Sequence, residues 1–189
     1  MYFGIYDNYT IRNLKPKGKR PILIRALEPE YLKVGRIPYN IKYINEYIDI
    51  LELYFEDIVD YPPIEHKDRF ILFNKEMAKQ LIEFINKNDF DEIIIHCNAG
   101  ISRSSALMIC ASKALGIQEI EEKIYKSGRF APNKLILNEF SKCNYTPKYK
   151  NYEHKIINTN EEIWEKEEFD IDIVKNENNI FSFSITPKK

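Results

Sequence analysis

Apolar positions along the chain change their period several times, and each change predicts an element. Residues 21–26 (PILIRA) form a short apolar run that reads as a buried strand. Residues 49–58 (DILELYFEDI) alternate imperfectly, and their first half reads as a second strand. In residues 74–88, Met77, Ala78, Leu81, Ile82 and Ile85 recur at helical spacing behind Asn74, whose side-chain oxygen can cap the first turn. Ile93, Ile94 and Ile95 then stand in a row within residues 91–96. Three consecutive β-branched residues predict a central strand covered on both faces. Residues 102–115 are small and apolar, a helix stopped by Gly116. Two shorter helices follow over 119–127 and 134–142, divided by Gly128 and Pro132.

The stretches between these elements read as irregular. Residues 1–20 are mixed and end in Lys15, Lys17, Lys19 and Arg20 around Pro16 and Gly18, a pattern predicting a loop and a solvated basic arm. Residues 27–40 carry Pro29 and Pro38, and residues 60–69 carry Pro62 and Pro63 among charges. Strands alternating with helices predict an α/β fold, a mostly parallel sheet flanked by helices. Near Thr146 the composition shifts. Beyond it, Phe169, Ile171 and Ile173, then Phe181, Phe183 and Ile185, alternate with polar residues about a turn at 175–179, which predicts a hairpin. An isolated hairpin is marginal, so this one must dock on the core or stay mobile. The chain thus divides into a domain over 1–145 and an extension over 146–189.

Length and charge refine this picture only slightly. At 189 residues the chain fits one domain with an appendage, enough to bury a core without disulfides. Three cysteines without repeating spacing argue against a disulfide framework and for a reducing, cytoplasmic setting. The net charge of −1 offers no overall bias toward nucleic acid or anionic lipid. It hides an asymmetry, however. Residues 150–189 hold six lysines and nine acids, net −3, which leaves the rest of the chain at +2. No run is long and apolar enough for a membrane span, and the first residues do not resemble a secretory signal.

Chemistry enters between the Ile run and the helix after it, at His96-Cys97-Asn98-Ala99-Gly100-Ile101-Ser102-Arg103-Ser104. A strand feeding a tight loop into a helix N-terminus turns successive backbone N–H groups inward, and the helix end adds positive potential. Together they predict an anion site formed by Asn98, Ala99, Gly100, Ile101, Ser102 and Arg103. Gly100 permits a backbone conformation that a Cβ would hinder. Arg103 supplies a planar fork for two phosphate oxygens. Cys97 opens the loop in a field of the kind that favours a thiolate nucleophile.

The segment HCNAGISRS resembles the signature of protein tyrosine phosphatases, His-Cys, five residues, then Arg and Ser, and most of all its dual-specificity branch. Residues 53–58 (LYFEDI) are similar to the strand and acid loop of that family. Phe130-Ala131-Pro132-Asn133 resembles the turn before its last core helix. The resemblance spans residues 20–143. It implies that Cys97 attacks phosphorus to form a phosphocysteine, that Arg103 binds the phosphate, that Ser104 helps the sulfur to leave, and that His96 orders the loop.

The same resemblance calls for an Asp as general acid on a loop before the signature. Asp57, 40 residues before Cys97 and at the start of the proline-containing loop, is the first choice. Asp60 is the alternative, and alternation would aim Glu56 away from Asp57. No metal or cofactor is expected. The expected substrate is a protein phosphorylated on tyrosine, with serine and threonine as further candidates. The competing readings are a non-catalytic phospho-binding module and a phosphatase of a non-protein ester such as an RNA 5′-phosphate, although no nucleic-acid partner is expected. Cys110 and Cys143 read as buried structural thiols. His66 and His154 lie far from each other and from any cysteine in sequence. The aromatic residues read as core, and nothing bears on oligomeric state.

Overall fold

The computed structural model describes residues 1–37, 39–63, 65 and 69–149, and the backbone of 169–175 and 181–187. Six strands, β1 (Tyr2–Tyr6), β2 (Pro21–Leu27), β3 (Asp49–Tyr54), β4 (Glu92–His96), β5 (Phe169–Lys175) and β6 (Phe181–Pro187), form one sheet in the order β3-β2-β4-β1-β6-β5. The four strands β3, β2, β4 and β1 are all parallel. The hairpin predicted over the C-terminal alternation is present as β5 and β6. It extends the sheet, with β6 antiparallel to β1 and Tyr2 opposite Ser184. Residues 176–179 of its expected turn lie outside the described residues, as do His66 and His154.

Among the described residues five α-helices accompany the sheet: α1 (Glu30–Val34), α2 (Lys75–Lys87), α3 (Arg103–Leu115), α4 (Glu119–Lys126) and α5 (Lys134–Ser141). The expected cap of α2 is made, since Asn74 Oδ1 accepts from Glu76 N at 3.0 Å and Met77 N at 3.1 Å. Gly116 ends α3 in the left-handed conformation, with its N–H bonded to Lys113 O. The reading of residues 1–20 as loop needs correction: Tyr2–Tyr6 is a sheet strand whose last four residues are buried. Its sequence, YFGIY, does not alternate, because strands of a parallel sheet are covered on both faces. Gly4, a residue that ordinarily weakens strands, fits because the Tyr6 ring folds back over it. Residues 27–40, expected to be irregular, contain the short helix α1.

The two faces of the sheet are covered differently. Phe3, Ile5, Ile22, Ile24, Ile93 and Ile95 share one core with side chains of α2, α3, α4 and α5. Tyr6, Leu23 and Ile94 face the other way, onto Ile11, Ile41 and Tyr47 from irregular segments. Every residue of β2 and β4 is buried, as are twelve of the thirteen in α3. Full burial of each large aliphatic side chain contributes about 1.5–3 kcal/mol, so this central strand-loop-helix unit is firmly held at both ends. The loop 97–102 joins those two ends.

Candidate functional site

The turn between β4 and α3 depends on Gly100. Its φ is +67°, and a Cβ there would come within 2.7 Å of Asp7 N and 2.8 Å of the Tyr6 carbonyl carbon, closer than such contacts occur. The loop is therefore pressed against the end of β1. Cys97 N donates to Tyr6 O at 3.3 Å, Asn8 N donates to Asn98 O at 3.1 Å, and the side chains of Asn8 and Asn98 are also bonded. On the far side, Asn133 N donates to Ser102 O at 3.3 Å. Ser105 Oγ donates to Ile101 O and Ser102 O, fastening the loop to the first turn of α3.

Cys97 is a free thiol at the buried base of this loop, only 2% exposed. Its Sγ accepts the Gly100 N–H at 3.3 Å and lies 3.1 Å from Ser104 Oγ. The Gly100 N–H and the Ser104 hydroxyl thus both lie within bonding distance of one sulfur. Around them Asn98, Ala99 and Ile101 are exposed, so one side of the loop opens to solvent.

Arg103 leads α3 but is almost wholly buried. Nη1 donates to Phe55 O at 3.0 Å, Nη2 pairs with Glu28, and Nε, also buried, has no hydrogen-bond partner among the described residues. Phe55 and Glu28 therefore hold the guanidinium by its terminal nitrogens and leave the Nε–H for an anion. Asp57 Oδ2 lies 3.9 Å from that Nε. Asp57 Oδ1 accepts from Ser102 Oγ at 2.7 Å and Asn133 Nδ2 at 2.8 Å. Of the three acidic residues considered for this loop, Asp57 is the one bonded to it. Asp60 is exposed, and Glu56 is half-buried with Oε2 lacking a hydrogen-bond partner among the described residues.

His96 is fully buried on the sheet face opposite α2 to α5, beside Tyr39 at a ring-centroid distance of 6.3 Å. Burial, followed by the nearby Arg25 charge, pulls its pKa from 6.5 down to about 3. Cys110 and Cys143 are buried free thiols, and burial pushes the Cys110 thiol well above its ordinary range. The basic loop is anchored at the start of β4, where Glu92 accepts from Lys17 N and Gly18 N; Cys97 follows the opposite end of that strand. Among the described residues, no group of three or more His, Cys, Asp or Glu could hold a metal ion. No helix among them is long and apolar enough to cross a membrane.

No family model and no curated protein matches the chain. Solved structures similar to it include two. One is the human tyrosine phosphatase-like serine/threonine/tyrosine-interacting protein, at 18% identity and a TM-score of 0.40, covering 66% of this chain and 75% of that one. The other is PTPMT1 in complex with PI(5)P, at 15% identity and a TM-score of 0.39, covering 64% of this chain and 73% of that one. Likeness of this degree carries no argument about activity, so the chemistry rests on the site's own atoms.

Two residues of the site were not assigned to it from sequence. Asn133 is nearly fully buried and serves two elements: Oδ1 caps α5 through Ile136 N at 3.2 Å, while Nδ2 holds Asp57 and Ile58 O. Its position after Pro132 signals the cap but not the reach to Asp57. Glu28 pairs with Arg103 across 75 positions of sequence. A lone carboxylate after an apolar run offers no signal for that pairing.

Proposed function

We propose that the chain is a cysteine-dependent phosphatase that hydrolyses phosphomonoesters through a phosphocysteine, with phosphotyrosine in proteins as its substrate. The observation that carries this reading is the convergence of Gly100 N–H and Ser104 Oγ on Cys97 Sγ, within a loop whose arginine keeps a free buried donor. In the first step the Cys97 sulfur attacks phosphorus, the S–P bond forms and the P–O bond to the leaving group breaks. Arg103 and the loop amides offset charge on the equatorial oxygens. Asp57 gives its proton to the departing oxygen, which is otherwise a poor leaving group. In the second step water attacks phosphorus, Asp57 takes a proton from it, and the S–P bond breaks. Ser104 Oγ–H donates to the emerging thiolate, and inorganic phosphate leaves.

The test is hydrolysis of an aryl phosphate and a phosphotyrosine peptide by the full chain without added metal. The parent turns over and is inhibited by vanadate. Cys97→Ser loses turnover yet retains the phosphopeptide. Equal rates for parent and variant would refute the phosphocysteine. A parent that binds phosphopeptide without hydrolysing either substrate would make the chain a phospho-binding module instead.

A further inference from the structure

Three adjacent parallel strands bring one polar row across an otherwise apolar sheet. Register places Glu52 of β3 beside Arg25 of β2, and Arg25 beside His96 of β4, the residue immediately before Cys97. Arg25 is 6% exposed, and its run PILIRAL is otherwise apolar. A buried guanidinium is costly unless paired and bonded. Here Nη1 pairs with Glu52 Oε1 at 2.6 Å, and Glu52 Oε2 accepts from Tyr54 OH at 2.6 Å. The Tyr39 ring lies 5.7 Å from the guanidinium carbon and packs edge-on to His96. Arg25 Nε donates to His96 Nε2 at 3.3 Å.

That last bond dictates the state of the imidazole. A nitrogen that accepts from Arg25 cannot carry a proton, because a guanidinium offers only donors. The neutral ring must then hold its hydrogen on Nδ1. Nδ1 is buried without a hydrogen-bond partner among the described residues, and the Cys97 backbone is the neighbour that favours a proton on this ring. The orientation of His96 is therefore fixed at the residue peptide-bonded to Cys97, the first residue of the loop.

We infer that Arg25, braced by Glu52, is a positioning residue that holds His96 as the Nδ1–H tautomer and thereby sets the start of the Cys97 loop. Its role in turnover rests on the phosphatase reading, whereas its effect on the ring does not.

The experiment uses the full chain with 15N-labelled histidine, Arg25→Met, and the double variant Arg25→Met/Glu52→Gln, which leaves no buried carboxylate unpaired if the single variant fails to fold. Two-bond 1H–15N spectra report the tautomer of each of the three histidines, and a His96→Gln variant identifies the His96 signals. In the parent, His96 carries its proton on Nδ1. In the Arg25 variants the ring shifts to Nε2–H or a mixture, and kcat for an aryl phosphate falls about tenfold or more, as for other partners that orient a functional histidine. A parent ring protonated on Nε2, or a folded variant that keeps the parent's tautomer, overturns the inference. If neither variant folds, the parent spectrum decides. A parent showing the Arg25-dependent tautomer but no hydrolysis refutes the phosphatase reading alone.

Discussion

Two carboxylates approach Arg103, and their bonding separates their roles. Glu28 and Phe55 O occupy the two terminal nitrogens, which turns the guanidinium without using Nε. Asp57 stands beside that Nε, bonded to Ser102 and Asn133 rather than to the arginine. Glu28→Gln removes the charge that aligns Arg103, so vanadate affinity should fall about tenfold, equivalent to ~1.4 kcal/mol. Asp57→Asn removes a negative charge beside the anion, so vanadate should bind no more weakly than in the parent. Calorimetric titration of both variants checks this contrast, and equal losses would contradict it. Asp57→Asn should instead lower kcat by about 10²–10⁴ for phosphotyrosine, whose leaving group needs a proton. It should have little effect on an activated aryl phosphate. A uniform effect across leaving groups would remove Asp57 as the acid. The residues of the loop were legible in sequence because they are contiguous. Asp57 was suggested by the resemblance, which calls for an Asp after the apolar run, and the structure places it beside the loop. Glu28 was not, since its meaning comes from a partner on another element.

Among the elements, the one that matters most to the loop is the one its own pattern hid. β1 supplies the backbone against which Gly100 is pressed, and its pairing with β4 aligns Tyr6 with His96. Its five residues contain a glycine and lack a period, so only neighbouring strands define them as a strand. β4 and α2 were legible for the opposite reason. Their patterns are long or pure enough to stand alone, and Asn74 marks the start of α2. The contact between β1 and the loop gives an element-scale test. Gly100→Ala must tolerate both φ +67° and a Cβ 2.7 Å from Asp7 N. Strain in such a conformation costs about 1–3 kcal/mol before the clash is counted. Gly100→Ala should lower urea stability by at least that much and abolish vanadate binding. A variant of parental stability and affinity would mean that the loop and β1 can separate freely.

At the scale of the molecule, the site and the stability of the fold share His96. Folding buries the ring and lowers its pKa from 6.5 to about 3, so the native state refuses a proton that the unfolded chain accepts. The sign follows from linkage: below pH 6.5 the unfolded state binds more protons, and stability falls as pH falls, by at most ~1.4 kcal/mol per unit. Once pH drops below about 3 both states are protonated, and the slope from this group ends. Glu92 acts in the opposite sense. Burial raises its pKa above 4.5, so acidification through its own range favours the native state. Asp49, lowered from 3.8 by its bonds to Lys87 and Asn88 despite some burial, costs stability only at still lower pH. Between pH 6.5 and 4.5 the parent should therefore lose stability, moderated by Glu92 toward the acid end. His96→Gln, which keeps a polar side chain but cannot titrate, should be flatter across that window. Urea unfolding of both proteins at pH 7.5, 6.0 and 5.0 measures the difference. Parallel curves would show that His96 is protonated as readily in the native state as in the unfolded chain. The Arg25 donor would then have no neutral ring to hold.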